Sequence, residues 1–415
     1  PATTARRRPR RRVTSTMNTH VRSALPLVLI LSLACQRDET SPQRIAPVPK
    51  KAPTVAAKES PTTEPRATSE CDAARLPEVR AAAADGDLER ISAEQSAALQ
   101  RLLARVDSET GRADAERAAA LLVNTGPDEP RARALAQLLD AAMTAWMRHH
   151  LERAADTASP IAVRQTSWEL ATCAFEHGPA ILSMEASAAP EGDAGATLVE
   201  EARAALASGR RALADADADA RERVLQPARQ RVEKSAYRAI HRALLLRARA
   251  AKDDPQQASA ALAAFRIIED RMQGKNTPGA AVITAALSGD PTRLDAEAIA
   301  RELAVAFAKR TRKYCSHALE HPDEPLADRL ASAAEGSTYA LLLLPDMTRR
   351  LTDAGFDAIA YRRTWEDYAQ ELEVGDDPAE LARLSGELVR WNCAYQEALG
   401  IAECTANVDE VAPAG

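Results

Sequence analysis

Four Trp, six Tyr and four Phe are all the aromatic residues in this 415-residue chain, and glycine is held to 16. β-Branched residues are sparse as well, which argues against a sheet-rich fold, because sheets pack through aromatic and β-branched side chains. Lysine is nearly missing, with eight against 46 arginines, while Asp and Glu together reach 60 and leave a formal charge of −6. A nucleic-acid module needs a concentrated basic face with aromatic platforms, so no nucleic-acid partner is expected; the arginine excess reads as codon bias. There is no C-x-x-C pair, G-x-S-x-G elbow, phosphate-cradling glycine loop or dinucleotide fingerprint, so the common redox, zinc-ribbon, hydrolase and nucleotide-binding classes lack support. Alanine is abundant, at roughly 90 positions, in a chain of mixed charge with 46% apolar residues. Such a composition suits a folded, helical protein.

The dense basic run, Arg6, Arg7, Arg8, Arg10, Arg11 and Arg12, lies upstream of Met17, and residues 1–16 are expected to precede the true start. From Met17 the order is His20 and Arg22, an apolar stretch over 24–33, then Ala34 and Cys35, the pattern of a secretory signal over 17–34. The apolar stretch is far short of the ~20 residues that a spanning helix needs. Leu31-Ser32-Leu33-Ala34-Cys35 resembles the lipobox of bacterial lipoproteins, with Ser32 where that family prefers Leu. The resemblance implies that Cys35 is diacylated and becomes the mature N-terminus, and Gln36, standing where Asp would retain the protein in the inner membrane, implies the outer membrane. Residues 35–70 are rich in Pro, Thr, Ser, Ala and Lys without apolar periodicity, as a disordered tether would be. An ordinary cleaved signal with a soluble product is the alternative. Removing residues 1–34 takes away those six arginines, Arg22 and no acid, so the charge falls from −6 to −13. That favours cationic ligands or basic partner surfaces.

Between Cys71 and Cys404 apolar residues recur at helical spacing. Leu381, Leu384, Leu388, Trp391, Tyr395 and Leu399 make one stripe; Ile299, Leu303, Phe307, Tyr314 and Ala318 make another, with a polar step at Thr311. Asp377-Pro378-Ala379-Glu380 reads as a helix start, as does Asp254-Pro255, and breaks are expected at Gly126-Pro127, Ser159-Pro160, Gly289-Asp290-Pro291 and Glu324-Pro325. The chain also resembles itself. Ser96-Ala97-Ala98-Leu99 recurs as Ser259-Ala260-Ala261-Leu262, and at that same offset Asp107, Gly111 and Gly126 meet Asp270, Gly274 and Gly289. After a five-residue shift Ala132-Arg133 meets Ala300-Arg301 and Trp146 meets Tyr314; further on Pro160, Arg164 and Ser167 meet Pro325, Arg329 and Ser332. The expected architecture is all-α: two similar helical bundles from an internal duplication, at 71–205 and 234–404, joined by a connecting helix over 206–233 with a break near Pro227. Residues 405–415 are expected to be a disordered tail.

The duplication singles out one polar pattern. His149-His150-Leu151-Glu152 corresponds to His317-Ala318-Leu319-Glu320, so both halves carry His-x-Leu-Glu. Residues i and i+3 share a helix face, and twofold packing would bring His149, Glu152, His317 and Glu320 together as a metal site, iron or zinc. A solvated His–Glu pair on a rim, near Arg164 or Arg329, is the competing expectation. His317-Ala318-Leu319-Glu320-His321 also resembles the H-x-x-E-H motif of the inverzincin peptidases, which implies zinc on His317 and His321, Glu320 as base and Glu397 as third ligand. Pro322 biases His321 out of the helix, and the chain lacks that family's α/β character. Duplicated helical bundles on an exported lipoprotein are similar to the imelysin-like proteins, associated with iron uptake; Met147 and Cys315 stand where their Gly-x-His-x-x-Glu motif has glycine. Asp215, Asp217 and Asp219 imitate a calcium loop, but Ala220 and Gln226 replace its glycine and bidentate Glu, so a solvated turn or helix is expected.

With Cys35 lipidated, Cys71, Cys173, Cys315, Cys393 and Cys404 remain as disulfide candidates, an odd number in an oxidising compartment. Pairing of Cys71 with Cys404 would staple the ends of the fold, and Cys393 with Cys404 would close a C-terminal turn; the spacing decides neither. The functional expectation is a lipid-anchored binding or scaffold module of the bacterial cell envelope, in the outer membrane or periplasm. No catalytic residue or cofactor is expected, and the partner would be an envelope protein or a cationic ligand. The alternative is a metal-binding protein or metallohydrolase.

Overall fold

The computed structural model describes residues 71, 74–123, 127–187, 194–375 and 377–406; the expected leader, Cys35 anchor and tether, and most of the expected tail, lie outside them. The architecture is all-α. In chain order the helices are α1 (Leu76–Ala84), α2 (Ala93–Thr110), α3 (Asp114–Val123), α4 (Asp128–Ala155), α5 (Ile161–Glu176), α6 (Pro179–Ser187) and α7 (Ala194–Ala212). There follow α8 (Ala218–Ala250), α9 (Gln256–Ile268), α10 (Thr277–Ser288), α11 (Ala296–Glu320), α12 (Leu326–Arg350), α13 (Ala358–Val374) and α14 (Pro378–Ala398), with short 3-10 turns between some of them. No helix among the described residues is long and apolar enough to cross a membrane.

Local sequence explains where these helices begin. Ser92 and Gln95 form a reciprocal capping box at α2, whose far end closes on Gly111 in the left-handed conformation. Asp217, Asp295, Asp357 and Asp377 each turn a carboxylate onto the first free backbone N–H groups of α8, α11, α13 and α14. A cap of this kind contributes about 1 kcal/mol and fixes the register of the apolar stripe behind it.

The buried side chains gather into two cores. One runs from Cys71 to Ala236 and contains Trp146, Trp168 and Phe175; the other runs from Tyr237 to Leu399, with Leu182 of α6 added, and contains Phe265, Phe307, Tyr339 and Trp365. Helix α8 serves both, giving Leu225, Ala228 and Val232 to the first and Ile240, Leu244 and Ala248 to the second. The chain turns between α7 and α8, so residues 206–233 are not one helix. Pro227 lies inside α8 without ending it. Its missing N–H leaves the carbonyl of Arg223 unserved, and Arg223 is exposed, so water can take the place of the lost partner. Helix starts recur in order: α2, α3, α4, α5 and α7 begin at 93, 114, 128, 161 and 194, and α9 to α13 begin 163, 163, 168, 165 and 164 positions later.

Two disulfides close the body. Cys71, ahead of α1, bonds Cys173 of α5, so Cys71 is not the partner of Cys404, and Cys404 bonds Cys393 of α14. Cys71 is buried in the first core, whereas the chain after α14 folds back so that Gln396 holds Thr405 through both its amide groups. Cys315 is the free, buried cysteine.

Candidate functional site

His149 is brought together with residues other than those its pattern suggested. Helices α2 and α4 pack so that Glu109, near the end of α2, meets His149 and His150 of α4, with one ligand atom from each residue within 4.8 Å of the others. His150 is 1% exposed, and its Nε2 lies 3.0 Å from Glu109 Oε2. That same oxygen accepts a hydrogen bond from Trp146 Nε1 at 2.6 Å, and Oε1 accepts from Arg105 Nε at 3.0 Å. Neither His150 ring nitrogen, nor His149 Nε2, makes a hydrogen bond of normal geometry, although all three atoms are buried. Burial pushes the His150 imidazolium down to about 4 against the pull of Glu109, so the ring is neutral at pH 7. Burial would raise the Glu109 carboxyl, but Trp146, Arg105 and His150 together hold it below its ordinary value.

The remaining residues of the two His-x-Leu-Glu patterns do not join this group. Glu152 is exposed. His317 Nε2 faces Glu324 Oε2 at 3.0 Å, and Glu320 accepts a hydrogen bond from Ser316 at 2.6 Å on an exposed face. The His317 and His321 rings are 4.4 Å apart at their centroids, but His321 has left helical geometry ahead of Pro322, and Glu397 is exposed. Among the described residues, the other group of three potential metal ligands within 4.8 Å is Cys71, Cys173 and His177, whose cysteines are the disulfide. Glu109 carries no sequence mark. It sits on a different helix from the histidines, and at the repeat offsets the second half has Met272 and Ala318 where the first has Glu109 and His150.

Where the cores meet on α8, charge is buried. Lys234 is 3% exposed, and its Nζ lies 2.8 Å from Glu233 Oε2 and 3.3 Å from Glu335 Oε1 of α12. Tyr237 donates to Glu233 at 2.5 Å, and Arg148 links Glu233 to Asp270 at 3.5 and 3.1 Å. Burial would raise the Glu233 carboxyl, but Lys234, Tyr237 and Arg271 hold it at about 2. Every charge in the cluster has a partner of opposite sign, as burial demands.

On another face, α7, α8, α12 and α13 enclose a cleft of about 520 Å³. Ala334, Ala340, Leu341 and Trp365 are among the apolar residues lining it, with Ser208, Ser235 and Thr338 supplying hydroxyls. Glu201 and Arg362 at its edge are engaged, Glu201 with Arg238 at 2.7 Å and Arg362 with Glu366 at 3.2 Å. Arg211 and Arg231 also line the cleft; both are exposed and make no ion pair among the described residues. Burial of the Arg231 surroundings lowers its affinity for protons against the pull of Glu373, as for a guanidinium set in a recess. Tyr361 and Trp365 are 1% and 3% exposed. Trp365 is near enough to polarise the Tyr361 hydroxyl, yet neither polar atom makes a hydrogen bond of normal geometry. No protein-family model, curated protein or solved structure matches this chain.

Proposed function

We propose that this protein is an exported, lipid-anchored binding module of the bacterial cell envelope, built by duplication of a helical unit, which holds an amphipathic anion in the cleft between α7, α8, α12 and α13. The observation that carries the binding function is the meeting, in one recess, of an apolar wall with two arginines, Arg211 and Arg231, that make no ion pair among the described residues. Pockets of a few hundred Å³ with a few convergent polar groups suit small ligands. An anionic head can take paired N–H groups from Arg211 and Arg231, while an apolar body covers the alanine and leucine wall. The chain as a whole is acidic and favours cations, but three of the five charged side chains that line the cleft are arginines. Support for duplication comes from the helix starts, whose offsets of 163 to 168 run parallel to the residue matches. Two disulfides in one body suit an oxidising compartment, in line with the lipobox at Cys35.

Two experiments test the proposal. Anilinonaphthalene sulfonate, an aromatic anion, should bind the full exported chain one to one and be displaced by dodecanoate but not by dodecanol. Arg211→Ala and Arg231→Ala should each weaken it about tenfold, the loss expected for one charge-assisted contact in a half-open site. Binding unchanged in the double variant refutes the cleft. For the anchor, Cys35→Ser should move the protein from the membrane to the soluble fraction of the envelope; retention in the membrane refutes lipidation.

A further inference from the structure

We infer that Glu109, His149 and His150 bind a divalent transition-metal ion, at a site separate from the cleft and different in composition from the paired His-x-Leu-Glu motifs. The first support is the directions of the nitrogens. His150 Nε2 is 3.0 Å from a carboxylate oxygen, a distance that would normally mean a hydrogen bond, yet the geometry of one is not met. In-plane directions at His150 Nε2 and His149 Nε2 therefore end on no protein acceptor, and each atom is buried. An orphan of this kind costs about 1–3 kcal/mol, and a chain that keeps two beside a carboxylate gains by placing an electrophile among them.

The second support is scale. Bonds of about 2.0–2.2 Å at tetrahedral or octahedral angles put ligand atoms roughly 3 Å apart. His150 Nε2 and Glu109 Oε2 already meet that spacing, and the remaining separations stay within 4.8 Å, so side-chain adjustments that close them by up to about 2 Å complete the set. Imidazole and carboxylate donors select zinc, iron, cobalt or nickel over magnesium and calcium, and three protein ligands leave a position open to water.

The surroundings orient the ligands. Trp146 Nε1 donates to Oε2 of Glu109 and Arg105 Nε to Oε1, so both oxygens are held in place. Arg105 and Arg153 are the cations whose charge is felt here, and both oppose a divalent ion, which weakens the affinity relative to a site without them. The second half has no equivalent, because Met272 and Ala318 stand at the corresponding positions. One ion per chain is the expected stoichiometry.

Cobalt(II) titration of the oxidised full chain, followed by its visible absorption and by calorimetry, tests the site. One equivalent should bind, with d–d bands of nitrogen and oxygen ligation, and zinc should displace it. Glu109→Gln keeps an oxygen for Trp146 and should weaken binding ten- to a hundredfold; His149→Gln should do the same, and both variants should melt as the parent does. His317→Gln with His321→Gln should bind as the parent. The inference is overturned if no cobalt binds, if the Glu109 and His149 variants bind unchanged, if the His317 and His321 pair abolishes binding, or if a sulfur-to-cobalt charge-transfer band places the ion on Cys71 and Cys173.

Discussion

Replacing Lys234 by Met removes the cation from the seam between the two cores and leaves two carboxylates behind. Lys234 is 3% exposed and serves Glu233 at 2.8 Å and Glu335 at 3.3 Å, besides lying 5.3 and 5.8 Å from the ring centres of Tyr237 and Tyr339. Met fills the same tube of space, so the loss is electrostatic rather than a cavity. Glu233 keeps the Tyr237 hydroxyl and the more distant Arg148, but Glu335 loses the one ion-pair partner it has among the described residues. Breaking a buried pair costs about 3–5 kcal/mol, and the help from Arg148 puts this case near 3 kcal/mol. Over a body of roughly 330 residues the unfolding entropy is about 0.7 kcal/mol/K, so the melting temperature should fall by about 4–5 °C at pH 7. The pH dependence sharpens the test. Glu233 is held at about 2, below its unfolded value, so its contribution is complete above pH ~4.5 and disappears as pH falls through 2. The gap between parent and Lys234→Met should therefore be widest at neutral pH and narrow steadily from pH 4.5 downward. Adding Glu233→Gln and Glu335→Gln to Lys234→Met should restore most of the loss, because a neutral trio has no charge to desolvate. Calorimetric melts at pH 7, 5 and 3 decide the matter: a gap constant with pH, or no loss at pH 7, refutes the electrostatic account.

Four further outcomes follow from packing and burial. Cys71→Ser with Cys173→Ser opens a 102-residue separation and should cost about 5 kcal/mol, against about 3 kcal/mol for Cys393→Ser with Cys404→Ser, both read from urea unfolding. Cys315, its thiol pushed up to about 12 by burial, should stay inert to thiol reagents until the protein is denatured. Gly336→Ala would place a methyl 2.5 Å from Tyr314 Cβ and 2.6 Å from the Trp365 ring, neither of which can swing away, and should lower stability by about 1–3 kcal/mol with a shift in Trp fluorescence. His241, held at about 4 by burial despite Asp346, stays neutral in the fold but charges in the unfolded chain below pH ~6.5. Stability should therefore fall by about 2 kcal/mol as pH drops from 6.5 to 4, after allowance for the half-buried ring, and His241→Phe, which keeps the packing on Phe307, should flatten that slope.

Much of the helical framework was legible because its signals are local. The stripe from Leu381 to Tyr395 is buried on α14 and continues to Leu399 at its cap, apart from a half-buried Trp391 that meets the Phe356 ring edge-on and carries the Arg390 guanidinium over its face. Thr311, the polar step in the α11 stripe, is fully buried and turns its hydroxyl onto the carbonyl of Phe307, so it passes through the core without an orphan donor. Asp377 and Pro378 open α14 as their order announced. Long-range matters left no such trace. Glu109 meets its histidines through the packing of α2 on α4, and no periodicity reports which helix lies across from which. The same holds for Cys71, which finds Cys173 rather than Cys404, and for the cleft, whose walls come from four helices. Pro227 misled because a proline's cost depends on whether water reaches the carbonyl it orphans, which is a tertiary fact.

Helix α8 ties these features together. Val232 and Ala236 belong to one core and Tyr237 and Ile240 to the other, so within about two turns the helix is covered on every side. A helix buried all round would ordinarily carry apolar residues there, yet Glu233, Lys234 and Ser235 occupy the middle. A buried ionic trio adds little net stability over an apolar one, but it has few satisfactory arrangements, since a small displacement of α12 along α8 would separate Glu335 from Lys234. Apolar contacts tolerate such sliding far better. Ser235 and Arg231, on the same stretch of α8, line the cleft opposite Ala334 and Thr338 of α12. The charges at the seam therefore fix the register of the two helices that form the cleft floor, and they do so within one residue of a side chain that a ligand would touch.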